Sequence, residues 1–292
     1  MKEKQILPLI LTLCLTMTAC GQTALGIGAS ASPPGGAGQG SPEEQSGGEE
    51  SRPAGAAMSC RIVDGAENGD LLLAELDGTK SGVYMLTVGD LPVTVDGKSA
   101  SAADLTDGMT VEVDYSGDVL ETYPAQFANV SSLQAQTPLG GGFTDLCGLW
   151  LKVLDDLWNA DAGLNGMEGG GTVPYVGVDL SEAPGDLTAA EKAAVAWRFG
   201  RLHGATPLSG TFDELAEQGY IDRAGLSWKD GIFFSITENH SHDNERYSLP
   251  VLSFDAEKWR SGTGANFFFN CKCVWPEGGP WTDYAVGSEA IS

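Results

Sequence analysis

From Gly21 to Ala57 the chain runs through Gly, Ser, Ala, Pro, Glu and Gln with almost no large apolar side chain. Segments such as Ser32-Pro33-Pro34-Gly35-Gly36 and Glu43-Glu44-Gln45-Ser46-Gly47-Gly48-Glu49-Glu50 cannot bury enough apolar surface to offset the entropy of ordering the backbone. A disordered Gly/Ser/Pro/Glu linker is therefore expected over 20–57, and at about 5–6 Å × √n some 37 residues of flexible chain reach roughly 30–35 Å. Any core must be built from residue 58 onward. The full 292 residues are enough for one large or two ordinary domains. Charge narrows the function: 40 acidic against 16 basic side chains leave a net −24. Nucleic acid draws affinity from clustered Lys and Arg, so it is excluded as a partner. Electrostatic docking on anionic lipid is excluded on the same ground.

Ahead of the linker, Lys2 and Lys4 precede the apolar run Ile6 to Leu15, which is too short to span a bilayer and reads as an export signal. It ends in Met17-Thr18-Ala19-Cys20-Gly21, which resembles the lipobox of bacterial lipoproteins, with Met17 where Leu is usual. The resemblance implies that residues 1–19 are a lipoprotein signal peptide and that Cys20 is acylated and becomes the new N-terminus. It further implies a protein lipid-anchored in the cell membrane on the extracytoplasmic face, its acyl chains the contact with the bilayer. Two or more acyl chains anchor stably. Loss of Lys2, Glu3 and Lys4 from 16 basic and 40 acidic residues would leave 14 and 39, a net of −25.

Residues 58–136 read as short strands divided by turn residues: Leu71 to Leu76, Gly82 to Val88, Pro92 to Val95 with Asp96-Gly97 as a turn, and the alternating Met109 to Tyr115. Some six strands with one weak helical gap predict a small closed β-barrel. The segments Leu105 to Val113 and Gly117 to Gln126, with Glu121-Thr122-Tyr123-Pro124-Ala125-Gln126 the more specific part, look like the OB-like barrel domain of uncharacterised Gram-positive surface lipoproteins. The resemblance brings no catalytic residues. Glu121, Tyr123 and Gln126 are expected at a strand end, making barrel-closing contacts.

The composition changes after Thr137-Pro138-Leu139-Gly140-Gly141-Gly142, and all seven tryptophans lie beyond it. Residues 143–292 are expected to form a Trp-rich α+β domain. Two apolar rows on Asp145 to Trp158 predict a largely buried helix, and Thr172 to Val178 a strand. Thr188-Ala189-Ala190-Glu191 and Thr211-Phe212-Asp213-Glu214 are capping boxes opening two more helices. Strands around 231–238, 248–254, 265–275 and 281–288 then predict an antiparallel meander. Lys258-Trp259-Arg260-Ser261-Gly262 and Val286-Gly287-Ser288-Glu289 loosely resemble exported Gram-positive proteins of unassigned activity.

Candidate chemistry is sparse. Cys60, Cys147, Cys271 and Cys273 would survive export, where disulfides are permitted, but their pairing cannot be read from spacing. Phe267, Phe269, Cys271, Cys273 and Trp275 share one strand parity, which predicts one buried face. His240-Ser241-His242-Asp243 is the one His pair, in a polar stretch with the character of a hairpin loop. It offers a metal only two imidazoles, so no metal site and no cofactor are assigned. Asp161-Ala162-Gly163-Leu164-Asn165-Gly166 fails the calcium-loop pattern, with Gly163 at the third position and Thr172 at the twelfth, and reads as a helix-ending turn. Gly262-Thr263-Gly264 lacks the context of a phosphate cradle. No nucleophile motif is present. Among the tryptophans, Trp150, Trp158 and Trp197 fall on helical core stripes, whereas Trp228, Trp259, Trp275 and Trp281 lie near turns, where one or two could serve as sugar-stacking platforms.

The expected molecule has two domains, a small all-β OB-like barrel followed by an α+β domain of helices and then an antiparallel sheet, on a disordered N-terminal tether. Its expected role is non-catalytic binding of a cell-wall glycan or a surface protein. The alternative is a cell-wall or glycan hydrolase with an unrecognised acidic active site.

Overall fold

The computed structural model describes residues 55–66, 69–78, 82–138, 146–240, 250–274 and 281–292, all within one compact unit, Ser51–Ser292. The signal segment, Cys20, nearly all of the tether, His242 and Trp275 lie outside the described residues. Among those described, no helix is long and apolar enough to cross a membrane. The described residues are mostly β, with two sheets and three α-helices.

The first sheet is built from β1 (Ala56–Asp64), β2 (Asp70–Glu75), β3 (Val83–Thr87), β4 (Val93–Val95), β5 (Lys98–Ala100), β6 (Thr110–Tyr115), β7 (Val119–Leu120), β8 (Ala125–Phe127) and β9 (Ser132–Gln136), in the order β5-β4-β9-β6-β1-β2-β3-β8-β7. The expected closed barrel is not formed: the sheet is open, with β5 and β7 at opposite ends. Its antiparallel centre is extended outward by two parallel pairs, β4 on β9 and β3 on β8. The outermost strands have only three and two residues, too few to carry a closing ladder. The alternation of β6 does hold, with Val111, Val113 and Tyr115 buried and Glu112 exposed. Asp96-Gly97 turns the β4–β5 hairpin with both φ angles positive, at 51° and 74°, as a two-residue hairpin loop requires.

Leu71-Leu72-Leu73-Ala74 on β2 does not alternate, and every one of these side chains is buried. A continuous apolar run is the mark of a strand covered on both faces. Leu71 and Leu73 enter the first sheet's own core with Ile62, Val111, Val113 and Leu133. Leu72 and Ala74 turn outward and join Val63 and Val83 in a second core with the helices that follow. Residues on both sides of the composition change therefore share one core. Ion pairs reinforce the junction: Arg61 Nε lies 3.3 Å from Glu191 Oε1, and Arg198 Nε 2.9 Å from Asp64 Oδ2.

The rest of the chain forms α1 (Leu146–Asn159), β10 (Tyr175–Asp179), α2 (Ala189–Leu202), β11 (Thr206–Ser209), α3 (Phe212–Glu217), β12 (Gly231–Glu238), β13 (Val251–Ser261), β14 (Gly264–Val274), β15 (Thr282–Ala285) and β16 (Ser288–Ile291). The sheet order is β11-β10-β12-β13-β14-β15, with β16 also on β14. The antiparallel meander β12–β13–β14 forms as expected, but β13 runs on to Ser261 where a strand around 248–254 was expected. The region before it differs: β10, α2, β11, α3 and β12 alternate, and β10 pairs parallel with both β11 and β12. The missed strand, β11, is a four-residue edge containing Pro207, where a residue without an N–H is tolerated.

Both capping boxes open helices as read, with Thr188 Oγ1 accepting from Glu191 N and Thr211 Oγ1 from Glu214 N. Helix α1 buries Cys147, Leu149, Trp150, Val153, Leu154 and Leu157. The turn after it is helical, with Asp161 left-handed at φ 45° and a 3-10 turn over Ala162–Asn165.

The expected single face from Phe267 to Trp275 is broken. Asn270 has φ 52°, and the register between β13 and β14 shifts between Phe254 and Ala256. A bulge of this kind inserts one residue and reverses the parity of all that follow. Phe268, Cys271 and Cys273 consequently pack toward the helices. Phe267 and Phe269 stack on the other face with centroids 5.5 Å apart. Burial pushes the Cys60, Cys271 and Cys273 thiols up to about 12, which leaves them unreactive.

Candidate functional site

Helices α2 and α3 leave the carboxyl ends of adjacent parallel strands and go to opposite faces of the second sheet. Val176 and Val178 of β10 pack with α2. Gly177 between them faces Leu215 of α3 and Trp228, either of which an added Cβ would meet at 2.6 and 2.9 Å. In open α/β sheets such a divergence leaves a crevice beyond the strand ends, and ligands bind there.

A cavity of about 420 Å³ occupies that crevice, lined among others by Asp179, Ser181, Lys192, Ser209, Thr211 and Glu214. Tyr123, which is 64% exposed, overhangs it from the first sheet. It does not serve barrel closure as expected. A second cavity, of about 320 Å³, lies on the α3 side and is lined by Phe212, Leu226, Phe233, Ser235, Thr237, Glu257 and Trp259. Asp179 lines both, so the two cavities adjoin at the end of β10 and are taken together as the arms of one cleft. A smaller cavity of about 160 Å³ beside Trp281 and Tyr284 stands apart.

Register explains the second arm. Asp179 pairs with Ser235, and Ser235 with Glu257, so the three side chains form a row across β10, β12 and β13. On β13, Asp255, Glu257 and Trp259 share one face, and Phe254, Ala256 and Lys258 the other. Lys258 is fully buried, and its Nζ donates to the carbonyls of Trp158, Ala160 and Asp161 at 3.0, 2.7 and 3.1 Å. Arg260 Nη1 donates to the carbonyls of Leu164, at 2.8 Å, and Gly166. The basic pair of the Lys258 to Gly262 motif therefore clamps the segment after α1, and Gly262-Thr263 is the β13–β14 hairpin turn.

The carboxylates around the cleft differ in one respect. Asp179 Oδ1 accepts from Ser181 N at 2.8 Å, and Glu214 Oε2 from Thr211 N at 2.8 Å. Asp255 Oδ1 accepts from Asn239 Nδ2 and Asn270 N, each at 2.7 Å. Glu257 has no hydrogen-bond or ion-pair partner among the described residues, although it is half-buried. Burial raises its pKa above the ordinary carboxyl value. The hydroxyls of Ser235 and Thr237 beside it are likewise unbonded among the described residues.

Of the four tryptophans near turns, Trp228 and Trp281 are buried, at 2% and 4% exposure. Trp259 is half-buried against the cavity, with Phe212 edge-on at 5.0 Å and 74°. Trp150 and Trp158 join the helical core as expected. Trp197 lies at its margin, with the Arg201 guanidinium 5.8 Å above its ring. His240 is exposed just past the end of β12 and is not among the residues lining the cleft. Among the described residues no three His, Cys, Asp or Glu side chains are grouped to hold a metal. Sequence reasoning passed over Asp179, Phe212 and Glu257. The available signal was the alternation of β13, which puts Glu257 beside Trp259. No protein-family model, curated protein or solved structure matches the chain.

Proposed function

We propose that the protein is a surface lipoprotein anchored through Cys20 that binds its ligand, without transforming it, in the cleft at the carboxyl ends of β10–β12. The bilayer is its partner through the acylated N-terminus, and a wall glycan, ahead of a surface protein, is its partner through the cleft. The observation that carries this reading is Glu257: a half-buried carboxyl with no partner among the described residues, at a cavity wall beside Trp259. Buried polar groups are ordinarily satisfied, and one left open in a cavity marks a place for a ligand. Aromatic rings, carboxylates and unbonded hydroxyls together suit a polyhydroxylated ligand, with Tyr123 and Trp259 as platforms in the two arms.

Titrating the protein with wall-glycan fragments while following tryptophan fluorescence tests the site. Saturable binding is expected, and Trp259→Ala should weaken it at least tenfold, the loss of one stacking platform. Binding unaffected by Trp259→Ala would remove the cleft from consideration. The anchor is tested separately: Cys20→Ala should appear in the medium or remain unprocessed, and unchanged membrane retention overturns it.

One register supports the hydrolase reading as well. Asp179 and Glu257 stand two strand steps apart on one face, about 10 Å between Cα atoms at the usual 4.8 Å spacing. Of the two, Glu257 has the raised pKa that a general acid needs. Release of reducing ends by the wild type, abolished by Glu257→Gln, would decide for hydrolysis.

A further inference from the structure

The Trp259 arm has a definite charge character, which narrows the ligand if the cleft is the binding site proposed above. We propose that this arm seats a ligand ammonium group, and that the protein prefers glycans carrying free amines to their N-acetylated forms.

The argument begins with the missing counter-charge. The cations that flank Glu257 along the chain face away from it. Lys258 is spent on three carbonyls and Arg260 on the loop at Leu164 and Gly166. Lys192, the basic side chain in the other arm, donates to the Ser181 carbonyl at 3.1 Å. Among the described residues nothing neutralises Glu257, and an isolated charge taken partly out of water favours an incoming partner of opposite sign.

Anions are disfavoured in the adjoining arm as well. Helix α2 opens beside the cleft, but its first turn is filled by its own capping box, with Glu191 Oε2 accepting from Thr188 N at 2.9 Å. Asp179 and Glu214 add further negative charge. A hard metal ion fits no better, because calcium takes six to eight oxygens and no metal-competent trio exists among the described residues. An ammonium needs only one carboxylate and tolerates aromatic walls, which attract it through their ring faces. Trp259 and Phe212 supply such walls at right angles. The rings also accept the C–H face of a sugar carrying the amine, and Ser235 and Thr237 are placed for its hydroxyls. The chain's net −24 draws cationic polymers toward it.

The test compares two probes of equal length, a β-1,4-linked glucosamine tetramer and its fully N-acetylated counterpart. Each is titrated into the detergent-solubilised full chain near neutral pH, where amines are still partly charged and the burial-raised Glu257 carboxyl is more fully ionised than in acid. The glucosamine tetramer is expected to bind at least tenfold tighter, about 1.4 kcal/mol, and the difference should shrink with added salt. Glu257→Gln should abolish the preference while leaving the thermal midpoint unchanged or higher, since it removes a desolvated charge. Equal binding of the two tetramers, with sensitivity to Trp259→Ala retained, overturns the ammonium seat and leaves the cleft intact. A preference that survives Glu257→Gln overturns it too. Failure of both tetramers to bind overturns the cleft reading together with this one.

Discussion

Lys258→Met is expected to lower the stability of the folded chain by on the order of 2–3 kcal/mol. The side chain is fully buried, and its three acceptors are backbone carbonyls at the end of α1. The last carbonyls of a helix have no intrahelical donor. A cation there also meets the negative end of the helix dipole. A methionine of similar length fills the space but leaves the Ala160 carbonyl without a donor, while the Trp158 and Asp161 carbonyls keep one each, from Asn165 Nδ2 and Leu164 N. Because those acceptors are main chain, no second substitution can remove them, unlike the partner of an ordinary ion pair. At ~2–4 °C per kcal/mol for a chain of this size, the thermal midpoint should fall by roughly 4–12 °C. An unchanged midpoint would show that water replaces the ammonium at no cost.

The same group sets a pH dependence. Burial pulls the Lys258 ammonium from 10.5 down to about 8. Between those values the unfolded chain holds the proton that the folded chain has released, so stability rises with pH across the window. The margin of wild type over Lys258→Met should therefore widen from neutral pH toward pH 10, as denaturant midpoints would register.

Gly177→Val carries the second large effect, at about 3 kcal/mol, the upper end of overpacking costs. The first added carbon would already lie 2.6 Å from Leu215 Cδ1 and 2.9 Å from Trp228 Cζ3. Relief requires α3 to lift from the sheet, and α3 carries Phe212, the wall opposite Trp259. Ligand binding at the cleft should fall along with the thermal midpoint. Gly177→Ala, with one carbon instead of three, should show the same losses at smaller size. A valine variant with the wild-type midpoint would mean that α3 yields freely and does not define the cleft.

Much of this arrangement is visible in the residues before any folding is considered. Asp96-Gly97 places a hairpin, the two Thr-x-x-Glu boxes place helix starts, and the alternation of Met109 to Tyr115 places a half-buried strand. Each is decided within a few residues, by backbone sterics or by a hydrogen bond three positions along. Leu71 to Ala74 was equally legible, since a run without alternation already requires cover on both faces of β2. What covers it is α2, more than a hundred residues further along the chain, and no local signal identifies so remote a partner.

The candidate site shows the same division. The alternation of β13 puts Glu257 with Trp259 and Lys258 with the opposite face, but the strand expected around 248–254 stops short of them, and only its pairing with β12 and β14 carries it on to Ser261. Which face would be the interior is a matter of tertiary packing. Ordinary hydropathy sends Trp inward and Lys to solvent. Here the open carbonyls at the end of α1 take the lysine inside, and the divergence of α2 and α3 leaves the tryptophan beside a cavity. The reversal of parity at Asn270 is likewise fixed by pairing, because a bulge exists only when a second strand sets the register. Local spacing determines which side chains travel together. The strand and helix that come to lie against them determine what those side chains face, because burial and electrostatic partnership depend on neighbours that sequence distance does not bring close.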